Sequence, residues 1–186
     1  MNTAIKNILL RNSHRELAKP YPSPDEMELV YKAALRAPDH AWLKPTRFIQ
    51  ITGSGIDKLS QIFVQFAQDH LQDTTAGILE KYKQAPFRAP MIIVLIAKVT
   101  DHPKVPITEQ MLSTAAAGEN ILLALNALNY GAIWRTGSFA LNDEIGKYLG
   151  LEDDHKVLGY IYVGTPIGKP KKLPDRNISD HLTIWE

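Results

Sequence analysis

The chain of 186 residues has no cysteine, which excludes disulfides, thiolate nucleophiles, cysteine-ligated zinc and iron–sulfur clusters and leaves the redox compartment unreadable. It has no excess of one charge either. Its 21 basic and 20 acidic residues leave a net charge of +1, so the single-sign field of a general nucleic-acid or membrane-surface protein is missing. Long apolar runs are absent: the richest, 91–97, is seven residues, against the roughly 20 that span a bilayer. The first eleven residues are broken by Lys6 and Asn7 and lack a secretory signal, so the expectation is a soluble cytoplasmic protein. Nucleotide-binding motifs are incomplete. Gly53-Ser54-Gly55 lacks the third glycine of a dinucleotide fingerprint, 164–169 lacks P-loop spacing, and no GxSxG nucleophile elbow occurs.

What is present is the composition of a folded domain. Hydrophobic residues make up 45% and charged residues 22%, enough for one core that buries about two thirds of the unfolded surface. Ile5, Ile8 and Leu9 at i, i+3 and i+4 predict a first helix over 1–11. Ser23-Pro24-Asp25-Glu26 predicts a capped helix start, with Met27, Val30, Tyr31 and Ala34 inward and a stop before Pro38. A strand over 48–52, a helix over 56–70 and a helical piece over 78–83 follow. The unbroken apolar run Met91-Ile92-Ile93-Val94-Leu95-Ile96-Ala97 predicts a strand buried on both faces at the centre of the sheet. The longest helical signal, 109–129, carries many small residues and suits burial nearly all round. Strands over 131–136 and 157–163 bracket a short helix capped by Asn142-Asp143-Glu144. The tail from Thr165 is rich in Pro, Lys and Asp yet ends Leu182-Thr183-Ile184-Trp185, the pattern of an arm that packs on something rather than of a disordered end.

Five of the six histidines follow an aspartate: His40, His70, His102, His155 and His181. No two histidines stand at the i, i+4 spacing that lets imidazoles share an ion, and adjacent residues on a regular element point apart. The expectation is therefore no metal, with only His40, in a proline-bounded loop, placed for function. Basic residues are the more informative set. Arg11-Asn12-Ser13-His14-Arg15 puts two arginines four apart, with amide and hydroxyl donors between them. It equally suits a basic helix end complementing its own dipole. Arg36 precedes His40, Arg135 interrupts the buried strand in Gly131-Ala132-Ile133-Trp134-Arg135-Thr136-Gly137, and Lys169, Lys171 and Lys172 follow the last strand. A buried arginine needs a partner.

Taken together, these segments resemble the nitroreductase family of flavin enzymes, and more narrowly its compact YdjA-type branch. The resemblance is carried by Arg11-Asn12-Ser13-His14-Arg15, Arg36-Ala37-Pro38-Asp39-His40, Pro45-Thr46-Arg47-Phe48, Ala85-Pro86-Phe87-Arg88-Ala89-Pro90, the Gly131–Gly137 segment, and Val163-Gly164-Thr165-Pro166. It implies an α+β fold with a mixed central sheet wrapped by helices and a single domain over 1–186. It also implies a domain-exchanged homodimer whose arm, about 165–186, packs on the partner. FMN would sit at the subunit interface, with NAD(P)H as donor. By resemblance, Arg11, Asn12 and Ser13 hold the ribityl and phosphate side and Arg15 the pyrimidine edge. Arg36 and His40 contact FMN from the adjoining segment, and Trp134, Arg135 and Thr136 lie against the ring system. Ala124, Leu125, Asn126, Ala127, Leu128 and Asn129 match the region assigned to the nicotinamide cofactor. The chain departs from the branch at Asn12, where arginine is commoner, and at Thr136, where serine is; Lys169 or Lys171 lies where larger relatives carry phosphate ligands.

The activity so implied is ping-pong: hydride passes from NAD(P)H to flavin N5, then electrons go to a nitroaromatic, quinone or similar small-molecule oxidant. Reactivity rests on the flavin, so no protein residue is expected as acid or base, and Arg15 is the candidate for stabilising the reduced form. The alternative is a flavin store or redox-responsive module without turnover. Relatives with more specialised chemistry carry lids, and 65–83 is the only segment here that suits one.

Overall fold

The computed structural model describes every residue except Met1, Asp73 and Pro170, which belong to the expected first helix, lid and arm and lie outside the described residues. The described residues form six α-helices and five strands, in the expected order except for β1, which the sequence did not announce: α1 (Thr3–Leu10), β1 (Leu17–Ala18), α2 (Pro24–Ala34), β2 (Thr46–Thr52), α3 (Ser54–His70), α4 (Ala76–Gln84), β3 (Met91–Lys98), α5 (Ile107–Ala127), β4 (Gly131–Arg135), α6 (Ile145–Tyr148) and β5 (His155–Pro166). The capping box of α2 forms as its residues require. Ser23 Oγ accepts from Glu26 N at 3.3 Å, and Glu26 Oε2 accepts from Ser23 N at 2.8 Å.

β3 lies between β2 and β5, and β5 carries β4 on its other edge. Every strand pair is antiparallel, so the mixed character expected of the sheet is confined to one isolated parallel bridge, Ser13 to Ala132. That bridge, closed by His14 N donating to Ala132 O at 3.0 Å, lays the basic segment beside β4. Successive side chains of a strand point to opposite faces, and β3 uses both. Ile92, Val94 and Ile96 pack with α3 and with Phe139, Tyr160 and Tyr162, whereas Met91 and Ile93 pack with α2 and α5. The sheet is thus sandwiched between two helical layers. Among the described residues no helix is long and apolar enough to cross a membrane.

Several boundaries differ from the sequence reading by about two residues, and the C-terminal end of β5 by more. β5 begins at His155 and continues to Pro166, so the arm starts inside a strand. The proline is tolerated because it pairs only with the two-residue β1, at the end of the sheet. Within the segment expected as a lid, α4 is fixed in place: it is tied to α3 by Ser60 Oγ donating to Lys83 O at 2.7 Å, and Tyr82 stands edge-on to Phe139 at 4.9 Å.

A bulge in β5 accommodates the largest side chain of β4. Leu95 pairs with Gly159 but Ile96 with Val157, leaving Leu158 as the extra residue. Leu158 O then accepts from Trp134 Nε1 at 3.2 Å. Gly159 has φ +148°, and a Cβ there would lie 2.1 Å from Trp134 Nε1; from the helix side, a Cβ on Gly118 would lie 2.8 Å from the same indole. Gly159→Ala is expected to destabilise the fold by about 3 kcal/mol or more through backbone strain and overpacking. Gly77→Ala, in a helix with nothing within 4 Å of the added carbon, should raise stability by about 0.5 kcal/mol. Denaturant midpoints of the two variants check this; equal midpoints would show that the indole slot is not tight.

Candidate functional site

A cavity of about 640 Å³ opens on the α3–α4 face of the sheet, within the range of about 300–1,000 Å³ usual for ligand and cofactor sites. β4 alternation builds one wall. Trp134 turns toward α5, so Ile133 and Arg135 face the opposite side, where Arg135 lies 5.4 Å above the Tyr162 ring. The bridge to Ala132 brings Ser13 and Arg15 alongside, and α4 with the turn after it supplies Lys81, Tyr82, Ala85 and Arg88. Lys171 reaches in from the arm, whose backbone is held by Asn12 Nδ2 donating to Lys171 O at 2.8 Å. A smaller pocket of about 150 Å³ shares Ser13, Arg15 and Lys171 and adds Lys169 and Glu16.

The electrostatics are one-sided. Arg15, Lys81, Arg88, Arg135 and Lys171 line the large cavity with no carboxylate among the lining residues, although the whole chain is nearly neutral. None of the five forms an ion pair with a described residue. Burial, and then the repulsion of Arg88 and Arg15, lower the pKa of Arg135, with only Tyr162 acting the other way. Its Nε is buried without a hydrogen-bond partner, as is the hydroxyl of Tyr160. Burial pushes Tyr162 up to about 12 despite Arg135 and Arg88, and raises Tyr160 as well, so both hydroxyls stay neutral donors at pH 7. An uncompensated cluster of cations with unpaired buried polar atoms is a site built for an anion with further polar edges.

Of the residues singled out by sequence, Ser13, Arg15, Trp134, Arg135 and Thr136 meet in this cavity. Arg11 does not line it: its Nε contacts Glu119 Oε1 at 3.2 Å on α5. Asn12 anchors the arm. Arg36 and His40 lie elsewhere, near a second cavity of about 440 Å³ between the end of α2, Ser113 and the 44–47 segment, and His40 Nδ1 sits 2.6 Å from Glu109 Oε2. The 124–129 stretch is the end of α5. Leu125 is fully buried, Asn126 Nδ2 donates to Asn7 Oδ1 at 2.7 Å, and Asn129 takes φ +64° just past the helix cap. None of its six residues lines a described cavity. Among the aspartate–histidine pairs, Asp154 and His155 do meet, at 2.6 Å, because Asp154 lies in the turn before β5. Glu152 is near them, and Lys98 Nζ lies 3.6 Å from Asp154. Sequence reasoning missed Lys81, Tyr82, Arg88, Tyr160 and Tyr162. Arg88 alone carried a signal, as part of a segment behind the resemblance to which no role was attached.

A family model described as the nitroreductase family matches residues 8–165. The chain belongs to the nitroreductase family. Within the family it is 34% identical over 163 residues to the Escherichia coli protein named "Putative NAD(P)H nitroreductase YdjA", covering 88% of each chain. It is 29% identical over 170 residues to a like-named Haemophilus influenzae protein, with 91% of each chain covered. Its fold matches a nitroreductase-like family protein from Bacillus cereus at a TM-score of 0.81 and 19% identity, over 100% of this chain and 97% of that one. It also matches a Bacteroides fragilis nitroreductase with bound FMN at 0.78 and 20%, over the whole of both chains.

The unpaired hydroxyl permits a direct check on this family member. Tyr160→Phe removes a buried donor without a partner and retains the edge-on packing against Phe63 at 5.1 Å. The ligand-free variant should be as stable as wild type or more stable by up to about 1 kcal/mol. A loss of that size in thermal denaturation would mean the hydroxyl is already bonded within the chain.

Proposed function

We propose that the chain is an FMN-dependent NAD(P)H oxidoreductase, and the observation that carries this is the five-cation, carboxylate-free cavity with its unpaired Arg135 Nε and Tyr160 hydroxyl. FMN suits such a lining: it has a phosphate of about two negative charges, a polar pyrimidine edge and a flat aromatic body. Ser13 and Lys171 would hold its charged side, and Arg15, Arg135 and Thr136 its polar edges. Arg11 contacts Glu119 through Nε, and a guanidinium has five N–H donors, so it keeps donors to serve the phosphate side. When bound, FMN would supply the transfer of hydride from NAD(P)H to flavin N5 and of electrons onward to a nitroaromatic, quinone or similar acceptor in a ping-pong sequence.

The protein's part is orientation and charge. A cation cluster in a low-dielectric wall favours whichever oxidation state carries more negative charge. Arg15 is the residue assigned to the reduced pyrimidine edge. No side chain is needed as acid or base, since the acceptor can take its proton from water. Arg36 and His40 would reach the cavity from a second copy, which accounts for their distance from it within one chain. A homodimer is supported by apolar surface left uncovered: Ile5, Ile8, Leu9 and Leu10 of α1 are each about half exposed, and Trp185 of the arm is 93% exposed. The 124–129 stretch is the weakest part of the expected nicotinamide contact, because Leu125 and Asn126 are engaged within the fold.

Steady-state oxidation of NAD(P)H with a quinone separates an enzyme from a flavin store, which would bind FMN without turnover. Arg15→Ala should lower the flavin midpoint potential in spectroelectrochemical titration; an unchanged potential would remove Arg15 from the mechanism.

A further inference from the structure

The cavity holds more positive charge than FMN can neutralise. Resting on the reading of the site as a flavin pocket, the cofactor has about two negative charges on its phosphate and one more when reduced. Arg15, Arg135 and Lys171, on the side where β4 meets the 13–15 segment and the arm, match that number. Lys81 and Arg88 are left over. They come from a different wall, on α4 and the turn that follows it, and both are exposed where they line the cavity. Glu16 lines the small pocket at the Lys169 end and is not among the residues lining this cavity.

A surplus cation at a ligand cavity is either solvated surface charge or a reader of ligand charge. Two observations favour the second. Arg88 lines the cavity together with Arg135 and Tyr162 and its charge works to lower the pKa of both, so that charge acts within the site. The wall carrying the pair is also rigid. Lys83 O is held by Ser60, and Tyr82, between Lys81 and the next turn, packs on Phe139. Charges on a fixed wall keep their distance from the ring site and discriminate among the molecules entering it.

The geometry points to Lys81 and Arg88 as specificity residues that select oxidising substrates bearing an anionic group, an aromatic carboxylate or sulfonate, over neutral acceptors of the same shape. Electron transfer itself is unchanged: NAD(P)H supplies two electrons and the acceptor takes them up with protons from solvent. The anionic group stays intact and serves only to orient the ring.

The test compares kcat/KM for 4-nitrobenzoate and 4-nitrobenzamide at saturating NAD(P)H in the FMN-loaded wild type, Lys81→Gln, Arg88→Gln and the double variant. FMN content is measured for each. Wild type should favour the carboxylate, with a preference that weakens as salt is added, and each substitution should reduce the carboxylate-to-amide ratio by about tenfold. A wild type without that preference, or variants that keep it, overturns the proposal. Loss of FMN in the variants overturns it differently, by making the pair cofactor ligands while leaving the proposed activity in place. A rise confined to the KM for NAD(P)H reassigns the pair to the phosphates of the donor. A wild type that neither binds FMN nor oxidises NAD(P)H with either compound removes the underlying reading and this one with it.

Discussion

Trp134 is the side chain around which the sheet and the cavity are arranged. Its indole fills a slot bounded by Gly118 of α5 and Gly159 of β5 and donates to the carbonyl of the bulged Leu158. Three elements are fixed to one another by a single ring, and the consequence is directional. With Trp134 turned toward α5, strand alternation turns Ile133 and Arg135 toward α3 and α4. The cavity wall is therefore a by-product of core packing. An arginine at the end of a buried strand, with an unpaired Nε, is tolerated because the packing holds it at the edge of an open volume rather than within the core.

The second constraint is electrostatic. Five cations line one cavity, and the pKa of Arg135 is lowered first by burial and then by the repulsion of Arg88 and Arg15. A chain with a net charge of +1 has acids enough to neutralise them, yet its ion pairs lie elsewhere: Arg11 with Glu119, Lys98 with Asp154, Lys156 with Asp143. Charge kept unpaired in this way lowers stability in the free chain and is recovered when an anion binds. The flavin reading and the selection of anionic acceptors draw on that same reserve of charge.

The sequence was most readable where one physical rule acts alone. An apolar run fully buried on both faces has to be a central strand, as β3 is, and Ser23 with Glu26 has to open a helix. It was least readable where tertiary pairing decides. β1 is too short for a periodicity, and Thr165 and Pro166 read as the start of an arm because proline ordinarily ends strands, although the sheet's end accepts one. At the site, Arg15 and the Trp134–Thr136 segment were legible because their types are unusual for their surroundings. Lys81 and Arg88 were not, since cations on a helix and a short turn look like solvated surface until the fold shows what they face. Arg36 and His40 were read as neighbours of the same site, but within one chain they stand beside a different cavity.

The central claim is that the cationic cavity holds a redox-active flavin. The most direct measurement is the visible spectrum of the purified protein, recorded before and after NAD(P)H is added without oxygen. The account predicts a bound-flavin spectrum that bleaches. A colourless protein that FMN cannot reconstitute would contradict it.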